Sequence, residues 1–236
     1  MNIMENKQKI FFTSDIHYGH KNICYGVSSW PEKESNCRMF NTLEDMNTAI
    51  VKSINSVVGE NDILYHLGDW SFGGLENIWH LRKQIKCHHI IKVIGNHDEH
   101  IKKDKFLPFL EKQDNVIYEL SDKNDFHTLS ITKKNGDVSA WDLFEKVIDG
   151  TGNEGIEIEI ENQKIILNHY PLKTWKGIND GTWLLYGHEH GRFKNVEDGK
   201  MIDVGWCRFR KPLSFFEIKE IMDKREIKST GINKTH

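Results

Sequence analysis

Cysteine is scarce in this sequence. Its 236 residues include four cysteines, Cys24, Cys37, Cys87 and Cys207, and no two of them have the Cys-x-x-Cys spacing of redox and zinc motifs. A chain of this length buries roughly 70% of its unfolded surface when it folds, so it needs no disulfide framework. The cysteines are therefore predicted to be reduced thiols, which points to a cytoplasmic location.

Long hydrophobic runs are also absent from the sequence. No stretch approaches the roughly 20 consecutive apolar residues that a membrane-spanning helix needs. The first nine residues are polar and contain neither the apolar segment nor the cleavage site of an export signal. We therefore expect a soluble, unexported protein without a membrane partner.

An excess of charge of either sign is lacking too. The formal net charge is -3, and such a balance gives no overall field that would hold a polyanion. Long nucleic acid is thus disfavoured as a partner, and a small substrate is expected. Neither internal repeats nor linker-like stretches interrupt the chain, which favours one domain over residues 1–236, while the oligomeric state stays open.

Short apolar runs alternate with amphipathic segments in the first hundred residues. Strands are predicted at 9–14, 62–67 and 89–94, and helices at 42–58 and 75–86. Thr42 and Asp45 form a capping pattern at the start of the first helix. Alternating strands and helices favour a parallel sheet, in which ligands bind at the carboxyl ends of the strands.

The second half of the chain is predicted to be mostly β-structure. Strands are expected at 115–120, 126–132, 155–162, 164–167 and 181–186, with a hairpin partner for the last at 200–204 and a helix at 214–222. Residues 121–156 contain a polar stretch rich in glycine, asparagine and aspartate, and are predicted to form a surface insertion. Residues 226–236 are predicted to be a frayed tail.

Polar motifs follow five of the predicted strands. They are Asp15-Ile16-His17, Gly68-Asp69, Gly95-Asn96-His97-Asp98, Asn168-His169 and Gly187-His188-Glu189-His190. Carboxylate and neutral imidazole suit divalent ions such as Zn, Mn, Fe or Ni. The motifs offer more ligands than one ion needs, so two metals sharing a carboxylate are predicted. Such a pair can clamp a phosphoryl group and generate hydroxide near neutral pH.

The order and spacing of these motifs resemble the calcineurin-like metallophosphoesterase family, from about Ile10 to Ile218. The stretch from Arg38 to Phe40 is similar to Arg-Pro-Phe in a bacterial and phage branch, with Met39 in place of the proline. The resemblance implies a four-layer αββα sandwich of two mixed sheets flanked by helices. It also implies attack on phosphorus by a hydroxide that bridges two divalent ions, with Mn favoured in vitro.

Individual roles follow from the resemblance, position by position. It implies that the first metal is held by Asp15, His17 and His190, that the second is held by Asn96, His169 and His188, and that Asp69 bridges them. His97 would protonate the leaving oxygen, and Asp98 would orient His97.

Four further residues are candidates for contact with the substrate. They are His20, Arg38, Arg192 and Arg208. His20 could instead cap its loop, and Arg192 and Arg208 could coat the surface. His66, two residues before Gly68, is predicted to be a buried, hydrogen-bonded core histidine.

Hydrolysis of a phosphodiester, with a small nucleotide-like substrate, is the predicted function. A phosphomonoesterase acting on a phosphoprotein or a small metabolite would use the same ligands and stays open. A nuclease is disfavoured by the charge balance. A scaffold without turnover is disfavoured because it would not need so complete a ligand set.

Overall fold

The computed structural model describes residues 8–26, 38–102, 143–193 and 197–228. These residues form two mixed β-sheets with flanking helices. Among them, no helix combines the length and hydrophobicity required to cross a membrane. The strands predicted at 115–120 and 126–132 lie outside the described residues.

The first sheet has five strands in the order β4-β3-β2-β1-β9. They are β1 (Ile10–Thr13), β2 (Ile63–Leu67), β3 (His89–Ile94), β4 (Lys146–Asp149) and β9 (Leu213–Ser214). Strands β1 to β4 are parallel, and β9 runs antiparallel to β1. The parallel pairing of β1, β2 and β3 is what the alternation of strands and helices predicted.

Four helices follow strands of this sheet. They are α1 (Lys21–Tyr25), α2 (Leu43–Asn55), α3 (Leu75–Arg82) and α4 (Glu99–Lys102). Ile50 and Ile54 of α2 share a buried cluster with Leu64 and Ile90 of the sheet. Burial of this apolar stripe, rather than helix propensity alone, stabilises α2 against the sheet.

The two longer helices are shorter than predicted. The hydroxyl of Thr42 accepts the backbone N–H of Asp45 at 3.0 Å, so α2 begins where the capping pattern placed it. It ends at Asn55 instead of residue 58, and α3 ends at Arg82 instead of residue 86. The buried Arg82 guanidinium donates to the carbonyl of Ile85 at 3.2 Å, so it binds the chain just beyond the helix end.

The second sheet has four strands in the order β5-β6-β7-β8. They are β5 (Ile156–Ile160), β6 (Gln163–Leu167), β7 (Trp183–Tyr186) and β8 (Met201–Asp203). Strands β5 and β6 form the predicted hairpin. Its turn residues Glu161 and Asn162 have φ of 50° and 66°, as a two-residue primed turn requires.

The two sheets pack face to face. Phe12 and Val93 of the first sheet share a buried cluster with Ile165 and Leu185 of the second. The other face of the second sheet is covered by Trp175 and the 3₁₀ helix Ile178–Asp180. Two mixed sheets with flanking helices confirm the predicted sandwich.

Two further helices follow β8 and β9: α5 (Trp206–Phe209) and α6 (Phe215–Asp223). The hydroxyl of Ser214 accepts the N–H of Glu217 at 3.2 Å, and the Glu217 carboxylate accepts the N–H of Ser214 at 2.8 Å. This reciprocal capping box confirms the predicted last helix.

The predicted surface insertion at 121–156 needs correction where the structure describes it. Residues 146–149 form β4, which pairs with β3 at one edge of the first sheet, and Leu143 and Phe144 are buried in the core. The prediction is wrong for these residues because an edge strand can keep charged ends, such as Lys146 and Asp149, in solvent. The part at 121–142 lies outside the described residues.

The predicted hairpin between 181–186 and 200–204 is also wrong. The corresponding strands β7 and β8 are parallel, not antiparallel. A parallel pair needs a connection long enough to return the chain to the starting edge of the sheet. Residues 187–200 provide that connection, and they also carry the last of the five motifs.

Candidate metal centre

The loops that follow β1, β2, β3, β6 and β7 meet at one end of the two sheets. Backbone hydrogen bonds join the loops directly. The N–H of Asp15 donates to the carbonyl of Gly68 at 3.0 Å, and the N–H of His17 donates to the backbone carbonyl of Asp69 at 3.1 Å. Across the second sheet, the N–H of Gly187 donates to His169 at 3.0 Å. The predicted meeting of the motifs at strand ends is therefore present in the fold.

Five of the predicted ligands have left-handed backbone conformations. They are Asp15, His17, Asp69, His188 and His190, with φ between 50° and 70°. Such φ values are uncommon outside glycine, although Asp, Asn and His tolerate them best. Strain of this kind is concentrated at functional sites, where the surrounding structure holds it in place.

The residues predicted to hold the first metal lie together and are called the first ligand group: Asp15, His17 and His190. The Asp15 Oδ1 atom lies 4.0 Å from His17 Nε2 and 3.8 Å from His190 Nε2. The two imidazole rings stack with centroids 5.0 Å apart. One ligand atom from each residue lies within 4.8 Å of the others, which is close enough for one ion to contact all three.

The residues predicted to hold the second metal also lie together and are called the second ligand group: Asn96, His169 and His188. The Asn96 Oδ1 atom lies 2.8 Å from His169 Nε2 and 3.1 Å from His188 Nδ1. The two imidazole rings meet edge to face, with centroids 5.2 Å apart. The histidines of the last motif therefore divide between the two groups, with His188 in the second and His190 in the first.

Asp69 lies between the two groups. Its Oδ2 atom is 3.4 Å from His17 Nε2 and 3.6 Å from His169 Nε2. Its Oδ1 atom accepts the backbone N–H of His97 at 2.9 Å. One carboxylate oxygen thus faces a histidine of each group, which is the geometry expected of a bridging ligand.

The buried atoms of the first group fit a cation. Asp15 Oδ1 and both ring nitrogens of His17 are buried and have no hydrogen-bond partner among the described residues. Leaving such a group unpaired costs about 1–3 kcal/mol. Carboxylate oxygen and imidazole nitrogen are ligands that divalent transition ions accept, so bound ions would satisfy these atoms.

Burial shifts the pKa values of several of the proposed ligands. It raises the pKa of Asp15 and of Asp69, and it lowers the pKa of His17. It also lowers the pKa of His169 to about 4. The imidazoles of His17 and His169 are therefore neutral near pH 7, as metal ligation requires. A bound divalent ion would supply the positive charge that favours the ionised form of the Asp15 and Asp69 carboxyl groups.

His97 lies at the exposed mouth of this cluster. Its ring centroid is 5.4 Å from that of His17 and 6.4 Å from that of His20. Phe72, which is 40% exposed, stacks on His20 at 4.0 Å and contacts His97 edge to face at 5.9 Å. Burial lowers the pKa of His20 to about 4. The structure thus brings His20 to the same mouth as His97.

The predicted role of Asp98 needs correction. Its carboxylate accepts hydrogen bonds, at 2.5 to 2.9 Å, from the backbone N–H groups of Asp69, Trp70 and Gly95 and from the Lys92 ammonium. In the described chain no hydrogen bond joins Asp98 to the imidazole of His97. Asp98 therefore anchors the turn that carries Asp69, because its lone pairs are engaged by that turn and by Lys92.

Lys92 was not among the predicted site residues. It is completely buried on β3, where it is in register with His66 of β2. A lysine inside the apolar run HIIKVI could have indicated a buried ion pair, because a charge in a strand that is buried on both faces must be paired. His66 is buried as predicted, but neither of its ring nitrogens has a hydrogen-bond partner among the described residues.

Arg38 lies behind the first ligand group. Its guanidinium donates to the carbonyls of Asp15 and Ile16, at 2.5 Å each, and to Cys207 Sγ at 3.3 Å. The side chain is buried and its guanidinium stacks over Trp206 at 4.8 Å. This geometry supports the loop and does not favour the predicted contact with substrate.

The other two candidate arginines lie after the last motif. Arg208 donates to Glu197 at 2.5 Å in a largely buried ion pair, so its charge is already paired. Arg192 is exposed next to Gly191. Contact with substrate stays a prediction for both.

Comparisons with known proteins agree with the geometry. A family model described as calcineurin-like phosphoesterase matches residues 8–192. An uncharacterized protein of Methanocaldococcus jannaschii is 40% identical over 62 residues, which are 26% of this chain and 30% of that protein. The crystal structure of a protein of unknown function from Aquifex aeolicus is similar in fold, with a TM-score of 0.53 and 20% identity over 91% of this chain and 99% of that chain.

Proposed function

Because the chain belongs to the calcineurin-like phosphoesterase family, we propose that it hydrolyses small phosphodiesters, of nucleotide size, at a centre of two divalent ions. Asp69 carries this proposal: it lies between two groups of ligand atoms, 3.4 Å from His17 Nε2 and 3.6 Å from His169 Nε2. A shared carboxylate is what separates a two-ion centre from two independent sites.

Each ion has its own ligands in this proposal. Asp15, His17 and His190 hold the first ion, Asn96, His169 and His188 hold the second, and Asp69 is shared. When bound, the ions supply Lewis acidity toward the phosphoryl oxygens and make hydroxide available near neutral pH. Buried atoms of the first group that lack a hydrogen-bond partner among the described residues support the assignment.

His97 is the residue proposed to give a proton to the leaving oxygen. It is exposed at the mouth of the site, and its backbone N–H is fixed by Asp69 at 2.9 Å. An imidazole in that position can reach a leaving group from outside the ligand cluster. His20 and Phe72 lie beside it and would contact the leaving group.

The proposed class of substrate rests on the charge of the chain, and the proposed location rests on its free thiols. The net charge of -3 gives no track for a long polyanion, which favours a small substrate. Cys24, Cys87 and Cys207 are free thiols, which supports the cytoplasm as the proposed location.

A comparison of two chromogenic substrates tests this proposal. The metal-free protein is reconstituted with Mn²⁺ and assayed on p-nitrophenyl phosphate and on bis(p-nitrophenyl) phosphate, with Asp69→Asn as the control variant. We expect higher kcat/KM on the diester and at least about a 100-fold loss in Asp69→Asn, since even outer partners of metal ligands are worth about 10–100-fold. A higher kcat/KM on the monoester would select a phosphomonoesterase, and no turnover with ions bound would select a scaffold.

A further inference from the structure

We propose that Cys207 is a positioning residue for the metal ligand His190. Its sulfur holds the imidazole ring so that Nε2 faces Asp15 and the first ion. The inference rests on the proposed function, because it requires that His190 binds a metal. It predicts that Cys207 raises the metal affinity of the first site and not that of the second.

The hydrogen bonds of the His190 ring carry the proposal. Its Nδ1 atom lies 3.2 Å from Cys207 Sγ, and its Nε2 atom lies 3.8 Å from Asp15 Oδ1. A partner that accepts the Nδ1 hydrogen leaves the Nε2 lone pair for a metal and fixes the plane of the ring. The sulfur is thus placed where a metal-binding histidine needs an acceptor.

In the second ligand group, a backbone carbonyl accepts the corresponding hydrogen bond from a histidine Nδ1 atom. His169 Nδ1 lies 2.9 Å from the carbonyl oxygen of Leu67, while His169 Nε2 faces Asp69 and Asn96. Cys207 therefore does for His190 what a strand-end carbonyl does for His169. A side chain can be replaced by mutation, whereas a backbone carbonyl cannot. The acceptor of the Nδ1 hydrogen can therefore be removed by mutation only in the first group.

Cys207 is itself held in place from two sides. The Arg38 Nε–H donates to its sulfur at 3.3 Å, and the same guanidinium donates to the carbonyl of Asp15. Next to it, the N–H of Trp206 donates to the carbonyl of Ser14 at 2.9 Å. Arg38, which is buried, and Cys207, which is half-buried, thus connect Asp15 and His190, two of the proposed ligands of the first ion.

Metal affinity, measured separately for the two sites, tests this role. Mn²⁺ and Zn²⁺ are titrated against a competing chelator into the parent protein, Cys207→Val, Cys207→Ser and the control Cys87→Val. Valine is apolar, is larger than cysteine and accepts no hydrogen bond, whereas serine still accepts one. Cys87 is a buried thiol that donates to the Asp62 carbonyl at 3.1 Å and contacts none of the proposed ligands in the described structure.

We expect Cys207→Val to weaken one site by about 10–100-fold and to leave the other unchanged. Cys207→Ser should recover part of that loss, and Cys87→Val should match the parent. Melting of the metal-free proteins is measured in parallel; if Cys207→Val does not fold, Cys207→Ser must show a smaller loss that is still confined to one site.

If each site of Cys207→Val binds its ion with the same affinity as the corresponding site of the parent, the inference is overturned. An equal loss at both sites would also overturn it, since that is the result of a general structural defect. Two tightly bound ions without hydrolysis in the parent would instead overturn the proposed function and leave the role of Cys207 standing.

Discussion

At the residue scale, the side chains that the fold brings together after the strands could be picked out of the sequence because they lie in short polar motifs. Asp69 and His188 follow glycines at the ends of apolar strands, so their type and place were visible in the sequence. The partners of Asp98 were not visible, because three of its four donors are backbone N–H groups brought together only by folding. The fourth donor is the Lys92 ammonium, and a lysine in an apolar strand does not show which carboxylate it meets.

His97→Ala should slow the hydrolysis of substrates with poor leaving groups by about 10²–10⁴-fold, because these groups need a proton as they depart. Hydrolysis of p-nitrophenyl esters should change much less, because p-nitrophenolate leaves without one. The measurement is kcat/KM for an alkyl and a nitrophenyl ester of the same phosphate. His80→Ala, an exposed histidine paired with Glu76, is the matched control; equal losses on both esters would remove the acid role from His97.

The affinity for the first ion should rise with pH. Burial lowers the pKa of His190, but the hydrogen bond to Cys207 and the charge of Asp15 outweigh it and raise the pKa to about 9. Below that pH the ring must lose its Nε2 proton before it binds a metal. The affinity should therefore increase up to about pH 9, by at most about tenfold per unit, and then level off. A flat profile in competitive metal titrations between pH 7 and pH 9 would contradict this.

At the element scale, the site depends on what lies immediately after each strand. Gly68 has φ of 107°, and a Cβ atom at that position would collide with the ring of His169. The turn from Gly68 to Trp70 is anchored by Asp98, and Asp98 is paired with Lys92 inside the sheet. The carboxylate between the two ligand groups is thus held by the ends of β2 and β3 together.

Lys92→Met should destabilise the metal-free protein by about 3–5 kcal/mol, because it leaves the buried Asp98 carboxylate without its ammonium partner. Urea denaturation measures this loss. Lys219→Met breaks an exposed pair with Asp223 one helical turn away and should cost only about 0.3–0.5 kcal/mol. Similar values for the two variants would show that the buried pair has no special role.

At the scale of the whole molecule, the sandwich could be predicted in part. Strands β1, β2 and β3 consist mostly of apolar residues, so their burial and order were readable. Strand β4 was not predicted because a strand at the edge of a sheet can contain polar residues and so lacks a continuous apolar run. The direction of β8 was missed because alternation of side chains carries no information on parallel or antiparallel pairing.

Metal loading should stabilise the whole fold. The ligands come from five loops and include buried carboxylates whose pKa burial raises, so ions that bind only the native state lower its free energy. At a free ion concentration of 100 times Kd, one site adds about 2.7 kcal/mol. Thermal melting with Mn²⁺ and with chelator measures the shift, which should shrink in Asp69→Asn; equal melting temperatures with and without metal would count against a native-state site.

The most direct test counts ions and turnover in the same sample. Metal-free protein is titrated with Mn²⁺ while bound ions per chain and the hydrolysis of bis(p-nitrophenyl) phosphate are measured together. A two-ion centre around Asp69 predicts that hydrolysis appears as the second ion binds and reaches its maximum at two ions per chain. Full hydrolysis with one ion bound, or in the presence of excess chelator, would contradict it.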